Sequence, residues 1–199
     1  MKAEERRTVR NRGAHRAQAA MGWILSLIAV ALVLYVLFEL WLVPVRIAGD
    51  SMQPALANGD VVLTDRLAKY WKTPGRGDVV SFYDPASGTL LLKRIVGLPG
   101  EVVDIVSGRV YVNGRPLDES QYAIHTDQCA DMEPLAVPEG AVFVLSDNRI
   151  DAYDSRDERV GCVAFQSIDG LLRFRIVPSV VMATPKEVDL AASSVTAEY

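Results

Sequence analysis

Hydrophobic positions along the chain form one long uninterrupted run followed by many short ones. The long run, residues 21–38 (MGWILSLIAVALVLYVLF), carries no charge, and Glu39 separates it from a short apolar extension, LWLVPV. A helix rises about 1.5 Å per residue, so this run with its extension can cross a hydrocarbon core of roughly 30 Å. The pattern therefore predicts a single transmembrane helix over residues 21–43.

The charge before this helix predicts its orientation. Residues 1–20 carry six basic side chains against two acidic ones, a net charge of +4, whereas the whole chain has −4. Basic flanks stay in the cytoplasm, so residues 1–20 are expected to form a cytoplasmic arm, with the rest of the chain outside. The acidic remainder argues against nucleic-acid binding, which requires a basic face.

Two other interpretations of the apolar run are disfavoured. A cleaved secretory signal has a shorter apolar segment, and no small-residue cleavage site follows this run closely. A buried core helix would not be expected beside the arginines of residues 1–20. A retained anchor is therefore the favoured interpretation.

Beyond the anchor the apolar positions form strand-length runs rich in Val, Ile and aromatic residues. These runs read DVVLTDRL, GDVVSFYDP, TLLLKRIVGL, EVVDIVSG, RVYVNGRPL, AVFVLSD and GLLRFRIVP. Residues 44–178 are therefore predicted to form an all-β domain, with a polar, irregular surface insertion at about 118–138. Residues 179–199 show no strong pattern and are predicted to be a loosely ordered tail.

Ser51 is the first candidate for chemistry. It lies in GDSMQPAL, residues 49–56, where Gly49-Asp50 favours a turn and Pro54 extends the residue before it. A serine on a sharp turn exposes its Oγ and leaves its own N–H free for a developing oxyanion. The stretch alone also fits an ordinary solvent-facing turn serine.

A nucleophilic serine needs a base, and the chain offers few. His15 lies in the cytoplasmic arm, so a Ser-His-Asp arrangement would need His125 in the polar insertion. Lys93 lies inside an apolar strand, TLLLKRIVGL, where burial would lower its pKa and make it a proton acceptor. The alternative for Lys93 is a strand lysine whose charged end reaches water.

The cysteines suggest no metal or cofactor chemistry. Cys129 and Cys162 show no CxxC or metal-ligand spacing, so neither a metal nor another cofactor is expected. An oxidising location outside the cytoplasm would permit a disulfide. Cys162 lies in an apolar run, VGCVAF, which favours a buried free thiol.

Four separated boxes resemble those of type I signal peptidases, in the same order along the chain. They are GDSMQPAL at 49–56, RGDVVSF at 76–82, KRIVGLPGE at 93–101 and SDNRIDAYDSR at 146–156. The resemblance covers the anchor and nearly all of residues 40–178. It implies a mainly β, extracytoplasmic catalytic domain behind one transmembrane helix.

The resemblance also implies the site and its partners. Ser51 would be the nucleophile and Lys93 the general base in hydrolysing signal peptides from secreted preproteins, next to membrane lipid and near the protein-export channel. The residues that match the family's supporting positions are Gly49, Asp50, Met52, Arg94, Ser146, Asp147, Asn148, Arg149, Asp154 and Arg156. Arg94 could pair with Asp147 or Asp154.

Three positions depart from the family pattern. Ala152 stands where some members have a serine that hydrogen-bonds the lysine, and Ser146 stands where glycine is usual. We therefore expect Ser146 Oγ to replace part of that missing support. Gly49 stands where some members have a serine that contributes a second oxyanion donor, so Ser51 N–H is the donor expected here.

Other protein classes stay open at this point. The chain could be a different serine–lysine protease of the same superfamily, such as a conjugation-associated processing peptidase or a self-cleaving repressor. Residues 1–20 are too short for the repressor's DNA-binding domain. A catalytically silent, membrane-anchored β-domain that binds exported chains and a plain structural anchor protein are the remaining alternatives.

Overall fold

The computed structural model describes residues 21–38, 41–151, 153–177 and 179–182. The chain divides into two units, Met1–Trp41 and Leu42–Tyr199. The predictions for the cytoplasmic arm 1–20, for Ala152 and for tail residues 183–199 lie outside the described residues.

The first unit contains helix α1, Met21–Phe38, which is long and apolar enough to cross a membrane. All of its side chains are exposed, and a helix that is apolar on every side without protein cover suits a lipid environment. The helix ends earlier than the predicted residue 43, because Leu42 and Val43 begin a strand. Pro44 explains the change, since the residue before a proline favours an extended backbone.

The second unit is mainly β, which confirms the predicted fold class. Its strands are β1 Leu42–Arg46, β2 Val61–Asp65, β3 Val79–Tyr83, β4 Leu90–Gly97, β5 Val102–Val106, β6 Arg109–Val112, β7 Arg115–Pro116, β8 Met132–Ala136, β9 Ala141–Leu145, β10 Val163–Ala164, β11 Ile168–Val177 and β12 Ser179–Met182. The helices described in this unit are 3-10 turns of three residues: Ala68–Tyr70, Thr126–Gln128 and Phe165–Ser167.

The strands form two antiparallel sheets. The larger has the order β1-β2-β11-β3-β4-β9-β10, with β12 added to β11, and the smaller has the order β7-β6-β5-β8. Asn113-Gly114 makes the turn between β6 and β7, with positive φ at both residues, as its sequence predicts. β1 is an edge strand of the larger sheet and pairs, among the described strands, with β2 alone.

Apolar side chains from both sheets form the core. One cluster joins the small sheet to β4 and β9 through Val103, Val112, Val96 and Phe143. A second cluster fills the larger sheet around Val80, Ile95, Val144 and Leu171. Each fully buried side chain of this size contributes about 1.5–3 kcal/mol relative to exposure, so these clusters hold β4 rigidly in the centre of the unit.

The predicted surface insertion, residues 118–138, is partly ordered and partly buried. It contains β8, which pairs with β5, and it buries Glu119 and Tyr122. The prediction of an irregular polar segment is wrong at these positions. The side chains of β8, MEPLA, are mostly exposed, so the strand exists through backbone pairing and leaves little alternation in the sequence.

The predicted loose tail is also wrong at its first residues. Residues 179–182 form β12, whose backbone pairs with Phe174–Val177 of β11. The reason is that β11 is ten residues long and offers a backbone edge to the chain that follows it. Such pairing cannot be inferred from the short sequence SVVM alone.

Gly97 at the end of β4 provides a test of this packing. A Cβ at position 97 would lie 2.6 Å from Val103 Cγ2 and 3.0 Å from Phe143 Cβ. We expect Gly97→Ala to destabilise the fold by about 1–3 kcal/mol and to lower the thermal unfolding midpoint by roughly 2–12 °C. Gly75→Ala is the matched control, because its nearest neighbour would lie 3.8 Å away; equal midpoints for the two variants would contradict the packing.

Candidate active site

Ser51 lies on a turn whose backbone is fixed from several directions. After β1 the chain forms a loop that Ile47 closes, donating to Asp60 O at 2.8 Å and accepting from Gly59 N at 2.9 Å. The next residue, Met52, is 1% exposed and packs in a core cluster with Ile47. Because its neighbour is buried, Ser51 has a defined position although it is itself only half-buried.

Lys93 lies in β4, opposite Val80 of β3. It is 2% exposed, which is unusual for a lysine. Its Nζ donates a hydrogen bond to Ser146 Oγ at 2.8 Å and lies 3.7 Å from Asp151 Oδ2. The expected contact between Ser146 and Lys93 is therefore present.

Burial changes the acidity of this lysine. Removal from water lowers the pKa of Lys93 from its ordinary value of 10.5, while the carboxylates of Asp151 and Asp154 act to raise it and Arg156 acts to lower it further. Burial outweighs the carboxylates because an ammonium loses much of its hydration in this environment. At a given pH, the amine of Lys93 is therefore neutral in a larger fraction of molecules than the amine of an exposed lysine is.

Ser51 and Lys93 line the same cleft, of about 440 Å³. One wall is formed by Val43–Ile47 of the β1 segment and the other by Leu90–Leu92 of β4. Lys93 Nζ is directed to Ser146, and within the described part of the chain no hydrogen bond joins it to Ser51. Catalytic hydrogen bonds commonly close only in the substrate complex.

The backbone of Ser146 is held on both sides. Its N–H donates to Asp154 Oδ2 at 2.9 Å, and its carbonyl accepts from Arg149 Nε at 2.8 Å. Asp154 is in turn paired with Arg156 through two hydrogen bonds of 2.7 and 2.8 Å. Burial acts to raise the pKa of Asp154, but these bonds outweigh it and keep the pKa below its ordinary value.

Arg94 and Asp147 form a second buried pair. Arg94 Nε and Nη2 donate to the two Asp147 oxygens at 2.8 and 2.6 Å, so Asp147 is its partner rather than Asp154. The guanidinium also lies 4.4 Å from the ring centre of Tyr122. This pair joins the strand that carries Lys93 to the segment that carries Ser146.

Asn148 connects that segment to the serine turn. Its backbone N–H donates to Ser51 O at 2.9 Å, and its Nδ2 donates to Asp50 O at 3.3 Å. Gly49, two residues before Ser51, is exposed with φ of +96°. Thus all of the described sequence-predicted residues lie on the turn 49–52, on β4 or on the segment 146–156, and direct hydrogen bonds connect these three elements.

Sequence reasoning missed two acidic residues of this region. Glu119 forms a buried ion pair with Arg149, with one contact of 3.0 Å, and Asp151 lies beside Lys93. A fully buried arginine requires an acidic partner, but burial of Arg149 is not visible in the sequence. Glu119 also lies thirty residues away in a segment predicted to be at the surface.

The cysteines do not form a disulfide in this structure. Cys129 is buried and Cys162 partly buried, and both are free thiols. Arg156 Nη1 contacts Cys129 Sγ at 3.2 Å. Among the described residues no group of three or more His, Cys, Asp or Glu side chains could hold a metal ion.

Comparison with known proteins identifies the family. Residues 20–177 match the model of the family described as signal peptidase, peptidase S26, which includes both Ser51 and Lys93. The chain belongs to the S26 signal peptidase family. It is therefore a serine peptidase of the signal peptidase I class, as the four sequence boxes predicted.

Two sequence relatives agree with this family. The chain is 34% identical over 164 residues to the probable signal peptidase I-1 of Synechocystis sp., covering 78% of this chain and 82% of that protein. It is 32% identical over 163 residues to signal peptidase I of Bacillus amyloliquefaciens, covering 76% and 82%. The crystal structure of a signal peptidase I from Enterococcus faecalis V583 shares 34% identity, covers 51% of this chain and 97% of its own, and has a TM-score of 0.43.

Ser146 gives the first functional prediction. We expect Ser146→Ala to lower kcat by about tenfold or more, because a hydrogen bond to a charged group contributes about 1.5–3 kcal/mol. The acid limb of the pH profile should also move to lower pH, because the ammonium form loses an acceptor. Steady-state cleavage of a preprotein substrate across pH measures both effects.

Ser81→Ala is the control for Ser146→Ala. Ser81 is equally buried, and its hydroxyl donates to Gly170 O at 3.3 Å, so the variant loses a buried hydroxyl that does not contact Lys93. Unchanged turnover together with an unchanged pH profile for Ser146→Ala would show that the contact with Lys93 has no catalytic role.

Proposed function

We propose that this peptidase is anchored in the membrane by α1 and removes signal peptides from secreted preproteins, with Ser51 as nucleophile and Lys93 as general base. One observation carries the proposal: the two side chains line a single cleft, and Lys93, amine included, is almost completely withdrawn from water. A hydroxyl without a base is a weak nucleophile, and a partly neutral amine in the same cleft supplies one.

In the first half of the reaction Ser51 Oγ attacks the scissile carbonyl carbon and its proton passes to Lys93 Nζ. The oxyanion of the tetrahedral intermediate is stabilised by Ser51 N–H, a backbone donor that needs no reorganisation. The carbon–nitrogen bond then breaks, Lys93 returns the proton to the leaving amine, and the signal peptide stays esterified to Ser51.

In the second half water releases the signal peptide. Lys93, neutral again, takes a proton from water, and the resulting hydroxide attacks the ester carbonyl carbon. Collapse of this intermediate breaks the bond to Ser51 Oγ, which recovers its proton from Lys93. The supporting residues keep these groups in register: Gly49, Asp50, Met52, Arg94, Ser146, Asp147, Asn148, Arg149, Asp154 and Arg156.

The substrate binds as an extended strand between two exposed backbone edges. β1 is an edge strand. In β4, pairing with β9 begins at Arg94, so Leu90–Leu92 pair with β3 on one side and, among the described strands, have no strand on the other side. The cleft lies between these two edges. A strand inserted there gains backbone hydrogen bonds on both sides, and apolar pockets select its side chains.

The anchor accounts for the location of the reaction. The basic arm before α1 stays in the cytoplasm, so the β unit lies outside, where signal peptides emerge from the export channel. The lipid around α1 is then the second partner of the protein. Keeping the enzyme on the membrane raises the local concentration of substrates that are themselves held there.

The proposed dyad predicts the effect of removing either group. We expect Ser51→Ala and Lys93→Ala each to reduce preprotein cleavage by about 10⁴-fold or more, and Lys93→Arg to be equally inactive because arginine stays protonated. Lys72→Ala is the control; its side chain is partly exposed and pairs with Asp78. Preprotein cleavage by Ser51→Ala or Lys93→Ala at the wild-type rate would contradict the proposed serine–lysine dyad.

Binding between two edges predicts a pattern in modified substrates. N-methylation of a backbone amide in the bound stretch of a peptide substrate should lower kcat/KM by about tenfold at each of two consecutive positions, because neighbouring N–H groups point to opposite edges. Methylation beyond the bound stretch is the control. Losses only at alternate residues would indicate a single edge, and no loss at any residue would exclude strand addition.

A further inference from the structure

Among the residues that the structure describes, Lys93 Nζ has one directly adjacent group that carries opposite charge. Its hydrogen-bond partner, Ser146 Oγ at 2.8 Å, is neutral. Asp151 Oδ2, at 3.7 Å, forms an ion pair with it. The amine thus lies between a fixed hydroxyl and a carboxylate.

The carboxylate of Asp151 is oriented by its own segment. Asp151 Oδ1 accepts a hydrogen bond from Tyr153 N–H at 3.0 Å, which leaves Oδ2 as the oxygen nearest to Lys93. The backbone is held as well, because Asp151 N donates to Asn148 O at 3.2 Å and Asp151 O accepts from Arg156 Nη2. The ion pair is therefore built into the segment.

The other charges around Lys93 are already matched. Asp154 and Arg156 also act on the amine, but they are bonded to each other at 2.7 Å, so their effects largely offset. The uncharged Val80 of β3 lies opposite Lys93. From the serine turn, Asp50 is exposed and bonded to Gln53 at 2.6 Å.

Exposure distinguishes Asp151 from Asp154. The side chain of Asp151 is 38% exposed, whereas that of Asp154 is fully buried. An exposed carboxylate is partly screened by water and can leave the amine when substrate enters, at little cost. A buried carboxylate with several hydrogen bonds cannot do so.

We propose that Asp151 is a positioning residue that pairs with the ammonium form of Lys93, holds it beside Ser146, and sets the pH above which the amine can serve Ser51. This inference rests on the proposed serine–lysine dyad. The neighbouring Ala152 has no polar side chain, so Ser146 and Asp151 together support the lysine in this chain. Asp151 favours the protonated amine and so opposes the effect of burial.

The test is the pH dependence of kcat/KM for the full chain with a preprotein substrate. Asp151→Asn keeps the shape of the side chain and removes its charge. The ammonium then loses its countercharge, so the lysine becomes neutral at lower pH and the acid limb should move down by about one pH unit. Below the wild-type limb the variant should cleave faster than wild type, by up to about tenfold.

Two further variants separate charge from shape. Asp151→Glu restores the charge and should keep the acid limb closer to wild type than Asp151→Asn does. Glu158→Gln is the matched control; Glu158 is exposed in the same part of the chain, so its variant loses the same charge without contacting Lys93 and should keep the wild-type limb. Thermal unfolding midpoints establish that each variant is folded.

Several results would overturn the inference. The first is an acid limb of kcat/KM for Asp151→Asn that coincides with that of wild type. The second is an acid limb that moves equally in Asp151→Asn and Asp151→Glu. The third is loss of activity at every pH in Asp151→Asn that is folded. Absence of cleavage by wild type would instead overturn the proposed function and this inference with it. A normal wild type with an unshifted Asp151→Asn limb removes the role of Asp151 alone.

Discussion

Withdrawing the amine of Lys93 from water is the constraint on which the rest of the site depends. A buried ammonium is costly, and the protein limits this cost with one hydroxyl and one partly exposed carboxylate rather than with a fully buried acid. The ammonium form of Lys93 is therefore still stabilised by its partners. It nevertheless gives up its proton more readily than the ammonium of an exposed lysine does. The proposed catalysis by Ser51 requires both properties.

Holding the supporting hydroxyl requires a fixed backbone around Ser146, and three ion pairs hold Asp147, Arg149 and Asp154 in place. They join Arg94 to Asp147, Arg156 to Asp154 and Arg149 to Glu119. Buried pairs of this kind add little net stability, but loss of one partner is costly, at about 3–5 kcal/mol. Their main effect here is to define the position of Ser146. The pairing partners lie in β4, in the segment itself and at Glu119.

Much of this organisation could be predicted from the sequence, because local patterns encode it. The apolar run gives α1, short Val-rich runs give the strands, and the four boxes give the residues around Ser51 and Lys93. The predictions that failed concern segments whose structure depends on tertiary partners: β8 forms by pairing with β5, and β12 forms by pairing with β11. Likewise, only the folded chain brings Glu119 to Arg149 and Asp151 to Lys93.

The titration of Lys93 itself tests the account most directly. The full chain has five lysines, so side-chain ¹³C labelling of lysine and nuclear magnetic resonance give few signals, and the one lost in Lys93→Arg belongs to Lys93. The account predicts that this signal titrates clearly below the ordinary value of 10.5. A signal that titrates at the ordinary value would contradict it, because the amine would then be charged when Ser51 needs a base.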